Sequence, residues 1–272
     1  MSKQVNMVSK KKSLKVICYT IFSFFVLALM LLNISWKANH HVYSHSTDIK
    51  TATIDSSSNK LQAEDLVTNY IHNIYNQAGL SSAGLSEDVF KKAVIGFYNL
   101  KNNLNQNKQI LTVVDFCKES TTKRMWIIDL ENQKLLLNTY VAHGEGSGLN
   151  NAYKFSNVEE SHQSSLGFYI ANETYLGKHG LSLKLDGQDL GVNDKARERA
   201  IVVHGADYVS EQFIRKTGRL GRSFGCPAVP QALNKKIIDL IKDRTCLFIN
   251  GDSKSYQSSL LDEHSLISNL SL

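Results

Sequence analysis

From Ile110 onward the chain alternates short apolar runs with polar turns: ILTVVDF, RMWIIDL, KLLLNTYVA, SLGFYIA, LSLKLDG, RAIVVHG and CLFIN. Each run is rich in Val, Ile, Leu and aromatic residues and is bounded by polar or glycine-containing segments, the pattern of strands. With no long helix between the first six runs, they predict a mainly β fold, an antiparallel sheet or sandwich with a few helices, and not a doubly wound one. One helix is expected between the last two runs. VPQALNKKIIDLIKD puts Val229, Leu233, Ile237, Leu240 and Ile241 on one face.

Upstream the period changes. Over residues 62–104 the apolar positions Val89, Phe90, Ala93, Val94, Phe97, Leu100 and Leu104 recur at three- and four-residue steps, with Ser86 placed as an N-cap. Residues 37–61 are polar and read as a flexible linker. The expected division is a helical region at 62–107, a β-rich domain at 108–251 and a polar C-terminal tail at 252–272, to which no structure is assigned.

The most apolar run precedes all of these. VICYTIFSFFVLALMLLNISW, residues 16–36, carries no charge, and residues 1–15 before it hold five lysines and no acid. As a helix the run would be about 31 Å long, enough for a bilayer core. Lysines on its N-terminal side predict a single-pass anchor with the remainder outside the cytoplasm. A cleaved signal peptide is the rival, but it needs a shorter apolar region and a small-x-small site. Either way the domain is exported to the extracytoplasmic, periplasmic side. The net charge is +6. No aromatic-interleaved basic stripe accompanies it, which argues against nucleic acid as a partner.

The 272 residues contain only two prolines, Pro227 and Pro230, and both lie in GRLGRSFGCPAVP, residues 218–230, with Cys226. If the predicted helix starts at Val229 or Gln231, Cys226 sits at its first turn, where the helix dipole would acidify a thiol. Arg219 and Arg222 would act in the same sense. The N–H groups of Phe224, Gly225 and Cys226 would converge on a carbonyl oxygen. A loop with a buried cysteine has the same composition, so these residues alone leave both readings open. Cys117 and Cys246 border apolar runs and read as strand-edge cysteines, with a disulfide between them open.

A thiolate nucleophile needs a base. Three histidines are followed by glycine: His143, His179 and His204. His204 is favoured because AIVVHG puts it at the end of a strongly apolar strand. His143 in VAHGEGSG also ends a strand and is a candidate for the same cleft and for substrate binding. His179 in GKHG reads as a turn residue, and His162 lies in a polar loop. A zinc site built from these histidines and a cysteine is the alternative, but the spacings match no compact metal motif.

VVHGADY with His204 and Gly205, followed by RSFGCPAV with Ser223, Gly225 and Cys226, resembles the L,D-transpeptidase catalytic (YkuD-type) family, in a divergent branch with an S-[WF]-G-C motif. SSLGFYI at 164–170 is similar to that family's TPxGxF strand, and the resemblance covers roughly residues 110–250. Two positions depart from the pattern. Phe224 stands where many members have a second histidine, and Pro227-Ala228 follow the cysteine where many have arginine. The resemblance implies Cys226 as nucleophile, His204 as base and later acid, and Gly205 orienting His204. It also implies oxyanion N–H groups at Phe224 and Gly225, peptidoglycan stem peptides as substrate, and no metal or organic cofactor. Carbapenem inactivation follows from it too. Arg219 and Arg222 are then candidates for the substrate carboxylate. Two other classes stay open: a wall-binding module of weakened activity, motivated by Phe224, and a metal-dependent peptidase using His143, His179 or His204.

Overall fold

The computed structural model describes residues 52–263. The basic segment 1–15 and the apolar run 16–36 lie outside the described residues. Among those described, no helix is long and apolar enough to cross a membrane.

Two helices come first, α1 (Ala52–Gln77) and α2 (Glu87–Asn99). The start of α1 falls inside the segment read from sequence as a linker to residue 61. Its buried positions Val67, Ile71, Ile74 and Tyr75 follow the helical repeat. Ser86 caps α2, its Oγ accepting the Val89 N–H at 3.3 Å.

The seven apolar runs all form strands: β1 (Ile110–Asp115), β2 (Met125–Asp129), β3 (Lys134–Thr139), β4 (Gly167–Gly177), β5 (Gly180–Gly187), β6 (Val202–Ala206) and, last in the chain, β8 (Thr245–Asn250). An unforeseen short strand, β7 (Ala228–Pro230), completes the set. Hydrogen bonds join all eight into one sheet of order β3-β2-β1-β8-β4-β5-β6-β7. The expected sandwich is therefore a single continuous sheet. Its pairings are antiparallel except β1 with β8 and β6 with β7.

Period-two alternation sorts the strand residues onto two faces. Leu111, Val113, Trp126, Ile128, Phe168, Ile170, Cys246 and Phe248 face α1 and α2. Val114, Met125, Ile127, Tyr169, Leu183, Leu185, Val203, Leu247 and Ile249 face the other way, onto α4 (Asn234–Ile241), which buries Ile237, Ile238 and Ile241. A β-carbon on Gly96 of α2 would stand 2.0 Å from Phe168, so glycine lets that helix lie directly on the sheet. The fully buried Trp126 donates its indole N–H to the Ala83 carbonyl at 2.9 Å. Because both sheet faces need a cover, the helical region shares a core with the strands and is not a separate domain.

The C-terminal segment also differs from its reading as an unstructured tail. Tyr256, Leu260 and Leu261 pack against the first of these cores, and Ser258 and Tyr256 donate hydrogen bonds to the buried Asp189 carboxylate. Among the described residues no disulfide forms: Cys117, Cys226 and Cys246 are all free. Cys246 pairs with Leu111 across parallel strands, six residues from Cys117. The four strand steps from Leu111 to Asp115 alone span about 13 Å, beyond disulfide reach.

Candidate active site

The two prolines now have a structural account. Between β6 and β7 the chain forms a short helix, α3 (Glu211–Thr217), capped by Ser210 and ended by Gly218 in the left-handed region, and then the loop 218–227. Pro227 enters β7 and Pro230 ends it. β7 is the terminal strand of the sheet, a position where proline removes no central ladder bond. The predicted helix start at residues 229–231 is thus corrected. Val229 lies in a strand, a 3₁₀ turn covers Gln231–Leu233, and the α-helix begins at Asn234. Cys226 precedes a strand, so no helix dipole acts on it.

The ladder brings the two principal candidates together. β6 and β7 run parallel with His204 opposite Ala228, two residues beyond Cys226. The Val202 N–H donates to the Cys226 Sγ at 3.4 Å, and the thiol faces the Ala200 carbonyl at 3.6 Å. His204 is only 3 % exposed. Its Nδ1 lies 3.0 Å from the Gly205 carbonyl oxygen. A carbonyl only accepts, so Nδ1 carries the proton and Nε2 is left as the basic nitrogen. Cys226 and His204 line one cleft of about 380 Å³ with Lys178, His179, Arg199, Tyr208, Arg222 and Phe224 among its walls.

The loop that carries Cys226 is clamped from behind by the segment after β3. Ser223 and Ala228 exchange backbone bonds with residues 142–145: Ser223 N–H to the His143 carbonyl at 3.0 Å, Glu145 N–H to the Ser223 carbonyl at 2.8 Å, and Ala142 N–H to the Ala228 carbonyl at 2.8 Å. Within the loop, Ser223 Oγ accepts the Gly225 N–H at 3.1 Å and donates to the Cys226 carbonyl at 2.5 Å. Ser164 Oγ accepts the Gly144 N–H and donates to the Gly225 carbonyl at 3.1 Å. The Gly225 amide is therefore occupied and is corrected as an oxyanion donor. The N–H groups of Phe224 and Cys226 have no intramolecular partner among the described residues.

The other candidates separate. His143 is fully buried behind the loop, not in the cleft. It accepts from the guanidinium of the equally buried Arg124, and burial, then the Arg124 charge, pulls it down to about 3. With His143 elsewhere, the zinc set read from sequence does not assemble. No group of three metal-ligating side chains occurs among the described residues. Arg222 lines the cleft and donates to the Glu145 and Gly148 carbonyls. Arg219 is turned back onto the Leu220 carbonyl at 2.6 Å and does not line it. Phe224, 63 % exposed, stacks on His162 with ring centroids 4.2 Å apart.

Sequence reasoning missed Arg199 and Lys178. Both line the cleft and act electrostatically on Cys226. They lie at positions 27 and 48 residues upstream of the cysteine, and only the folding of the β4–β5 hairpin and the 188–201 segment brings them there. Burial holds the Cys226 thiol above its ordinary value, opposed by the Val202 N–H and by Arg199 and Lys178. Burial likewise holds His204 below its ordinary value. The Gly205 carbonyl pulls it up, and the charges of His179 and Lys178 add to the lowering. The resting pair is therefore a neutral thiol beside a neutral imidazole, not the thiolate that a helix start would have stabilised.

The L,D-transpeptidase catalytic domain matches residues 81–250 of the sequence. No curated protein matches it. Among solved structures, an L,D-transpeptidase from Mycobacterium smegmatis is similar at 11 % identity and TM-score 0.33, over 53 % of this chain and 59 % of that one. The helical cell shape determining protein Pgp2 from Campylobacter jejuni is similar at 16 % identity and TM-score 0.39, over 60 % and 53 %. An L,D-transpeptidase from Xylanimonas cellulosilytica is similar at 13 % identity and TM-score 0.30, over 65 % and 91 %. This chain thus spans little more than half the length of the first two. With the family match extending over more than half of its residues, the chain belongs to the L,D-transpeptidase catalytic-domain family.

Proposed function

We propose that the protein is a cysteine acyltransferase acting on peptidoglycan stem tetrapeptides. The observation that carries this reading is the shared cleft of Cys226 and His204, with the tautomer of His204 set by Gly205.

In the proposed reaction His204 Nε2 takes the thiol proton as Cys226 Sγ attacks the carbonyl at the L-centre of the substrate's diaminopimelate. The N–H groups of Cys226 and Phe224 receive the oxyanion. Collapse breaks the amide bond, and His204 returns its proton to the departing D-Ala amine. A second amine from a neighbouring stem then attacks the thioester, gives its proton to His204, and restores the thiol. Water in place of that amine would make the same chemistry hydrolysis. Among the described residues that line the cleft, Lys178, Arg199 and Arg222 are cationic and none is acidic. That charge suits a substrate rich in carboxylates. Anchoring by residues 16–36, with the domain outside the cytoplasmic membrane, completes the proposal by putting the enzyme beside its substrate.

The test incubates the full chain with a disaccharide-tetrapeptide and follows protein and products by mass spectrometry. An adduct on Cys226 with release of D-Ala supports acyl-enzyme chemistry, and the products separate transfer from hydrolysis. A folded protein that forms no adduct and releases no D-Ala overturns the reading and favours a wall-binding module.

A further inference from the structure

The turn joining β4 to β5 is two residues long, Lys178 and His179, between the paired glycines Gly177 and Gly180. β5 then pairs with β6, and the last matched position on that side is Ser182 opposite His204. The turn therefore projects past the ladder at the level of the catalytic histidine. There the imidazole of His179 lies flat on that of His204, with ring centroids 4.3 Å apart and planes 24° from parallel. His179 itself is solvent-exposed, as are its neighbours along the tip.

Two properties of His204 need a physical cause. It lines an open cleft and yet is 3 % exposed, so something covers its ring. Its Nδ1 bond to Gly205 fixes one nitrogen but does not stop the ring from rocking about that bond. A second ring stacked on one face supplies both cover and a rotational stop.

We propose that His179 is a positioning residue for the reaction, an aromatic cover that holds the His204 imidazole in its working orientation and keeps water from its face. This rests on the acyl-transfer reading above and extends it to the hairpin tip. The stack also acts on proton transfer. His204 must start neutral to take the thiol proton, and a cover that keeps water from its face disfavours its imidazolium. A charge on His179 opposes it, as does the adjacent Lys178. The other groups around the pair are Tyr175 on β4, Cys226 on the nucleophile loop, and the cleft-lining Arg199, Tyr208 and Arg222.

The experiment compares wild type, His179→Ala and His179→Phe in the full chain. One readout is the proton titration of the His204 ring by NMR, with its resonance identified by loss in His204→Gln. The other is the rate of Cys226 acylation across pH. Because the hairpin tip is exposed, both variants keep the fold. His179→Ala should return the His204 titration upward toward that of a free histidine and slow acylation roughly tenfold. His179→Phe keeps the cover and removes the charge, so it should recover most of the rate with a smaller upward shift. A merely structural turn residue would not give that order. An unshifted His204 titration in His179→Ala, with acylation within twofold of wild type, overturns the proposal. If wild type itself forms no acyl-enzyme, the acyl-transfer reading fails. The positioning role is then decided by the titration alone, an upward shift supporting it and no shift overturning it.

Discussion

Arg124 donates from Nη2 to His143 Nδ1 at 2.8 Å, and both side chains are fully buried behind the loop that carries Cys226. A guanidinium cannot accept, so Nδ1 accepts and the ring is neutral with its proton on Nε2. Arg124 also donates to the Val141 and Lys118 carbonyls, tying the start of this segment to the β1–β2 turn. The pair is thus a strut beneath the Cys226 loop, not a part of the cleft.

That strut makes stability depend on pH. His143 takes a proton near pH 6.5 when unfolded and is held down to about 3 in the fold. Between these values the unfolded chain binds the extra proton, so the contribution is complete above 6.5 and declines as pH falls toward 3. The slope from this one group is at most about 1.4 kcal/mol per pH unit. Urea unfolding at pH 4, 5, 6 and 7 should show a steeper loss for wild type than for His143→Gln, which keeps an acceptor for Arg124. Parallel curves for the two proteins would contradict this account.

Ser223 holds the Cys226 loop through two bonds from one hydroxyl, accepting from Gly225 and donating to the Cys226 carbonyl. Ser223→Ala leaves the buried Gly225 N–H unpaired, at a cost of about 1–3 kcal/mol. The loop should loosen with the cleft charge unchanged, so kcat should fall more than KM rises. A variant with wild-type kcat would show that the backbone clamp from residues 142–145 suffices alone.

Gly225 has φ +120°, and a β-carbon there would stand 2.9 Å from the Gln163 carbonyl oxygen. Gly225→Ala therefore meets both backbone strain, about 1–3 kcal/mol, and a contact with main chain that cannot swing away. We expect a lower melting temperature and near-complete loss of D-Ala release. Retained activity in a folded variant would mean that the loop can adopt a second course.

The strands were legible because each is a short apolar run bounded by polar turns, and in β1 both faces are buried, Leu111 and Val113 on one and Val114 on the other. The same test failed at Val229. Its spacing to Leu233 and Ile237 mimics a helix face, yet it packs as a strand residue because β6 offers an open edge two residues after Pro227. His204 and Cys226 were readable from their local patterns. Arg199 and Lys178 were not, since a cation gains its role only from what the hairpin and the 188–201 segment fold against. His143 looked like His204 in sequence, both ending strands before glycine. Only the position of Arg124, nineteen residues upstream of it, sends it into the interior.

The charge on Arg199 gives the most direct check on the electrostatics of the cleft. Its guanidinium donates to the Gln163 and Ser156 carbonyls at 2.7 Å and lines the cleft with Cys226. It favours the thiolate against a burial that favours the thiol. Removing the cation should raise the Cys226 value further, so a smaller thiolate fraction is present at any pH below it. Iodoacetamide labelling, resolved by peptide mass, should rise with pH at Cys226 with a midpoint above that of a free thiol. Arg199→Gln should shift the curve to still higher pH and slow labelling at pH 7.5 about two- to tenfold, while Arg199→Lys, which keeps the charge, should stay closer to wild type. Cys117 serves as the internal reference. Burial and then the Asp115 charge raise it to about 11, and it does not line the cleft, so its labelling should not respond to either variant. Cys226→Ala should abolish D-Ala release and Cys117→Ala should leave it intact. If Arg199→Gln and Arg199→Lys label alike, the arginine acts by bracing residues 156–165 and not by its charge.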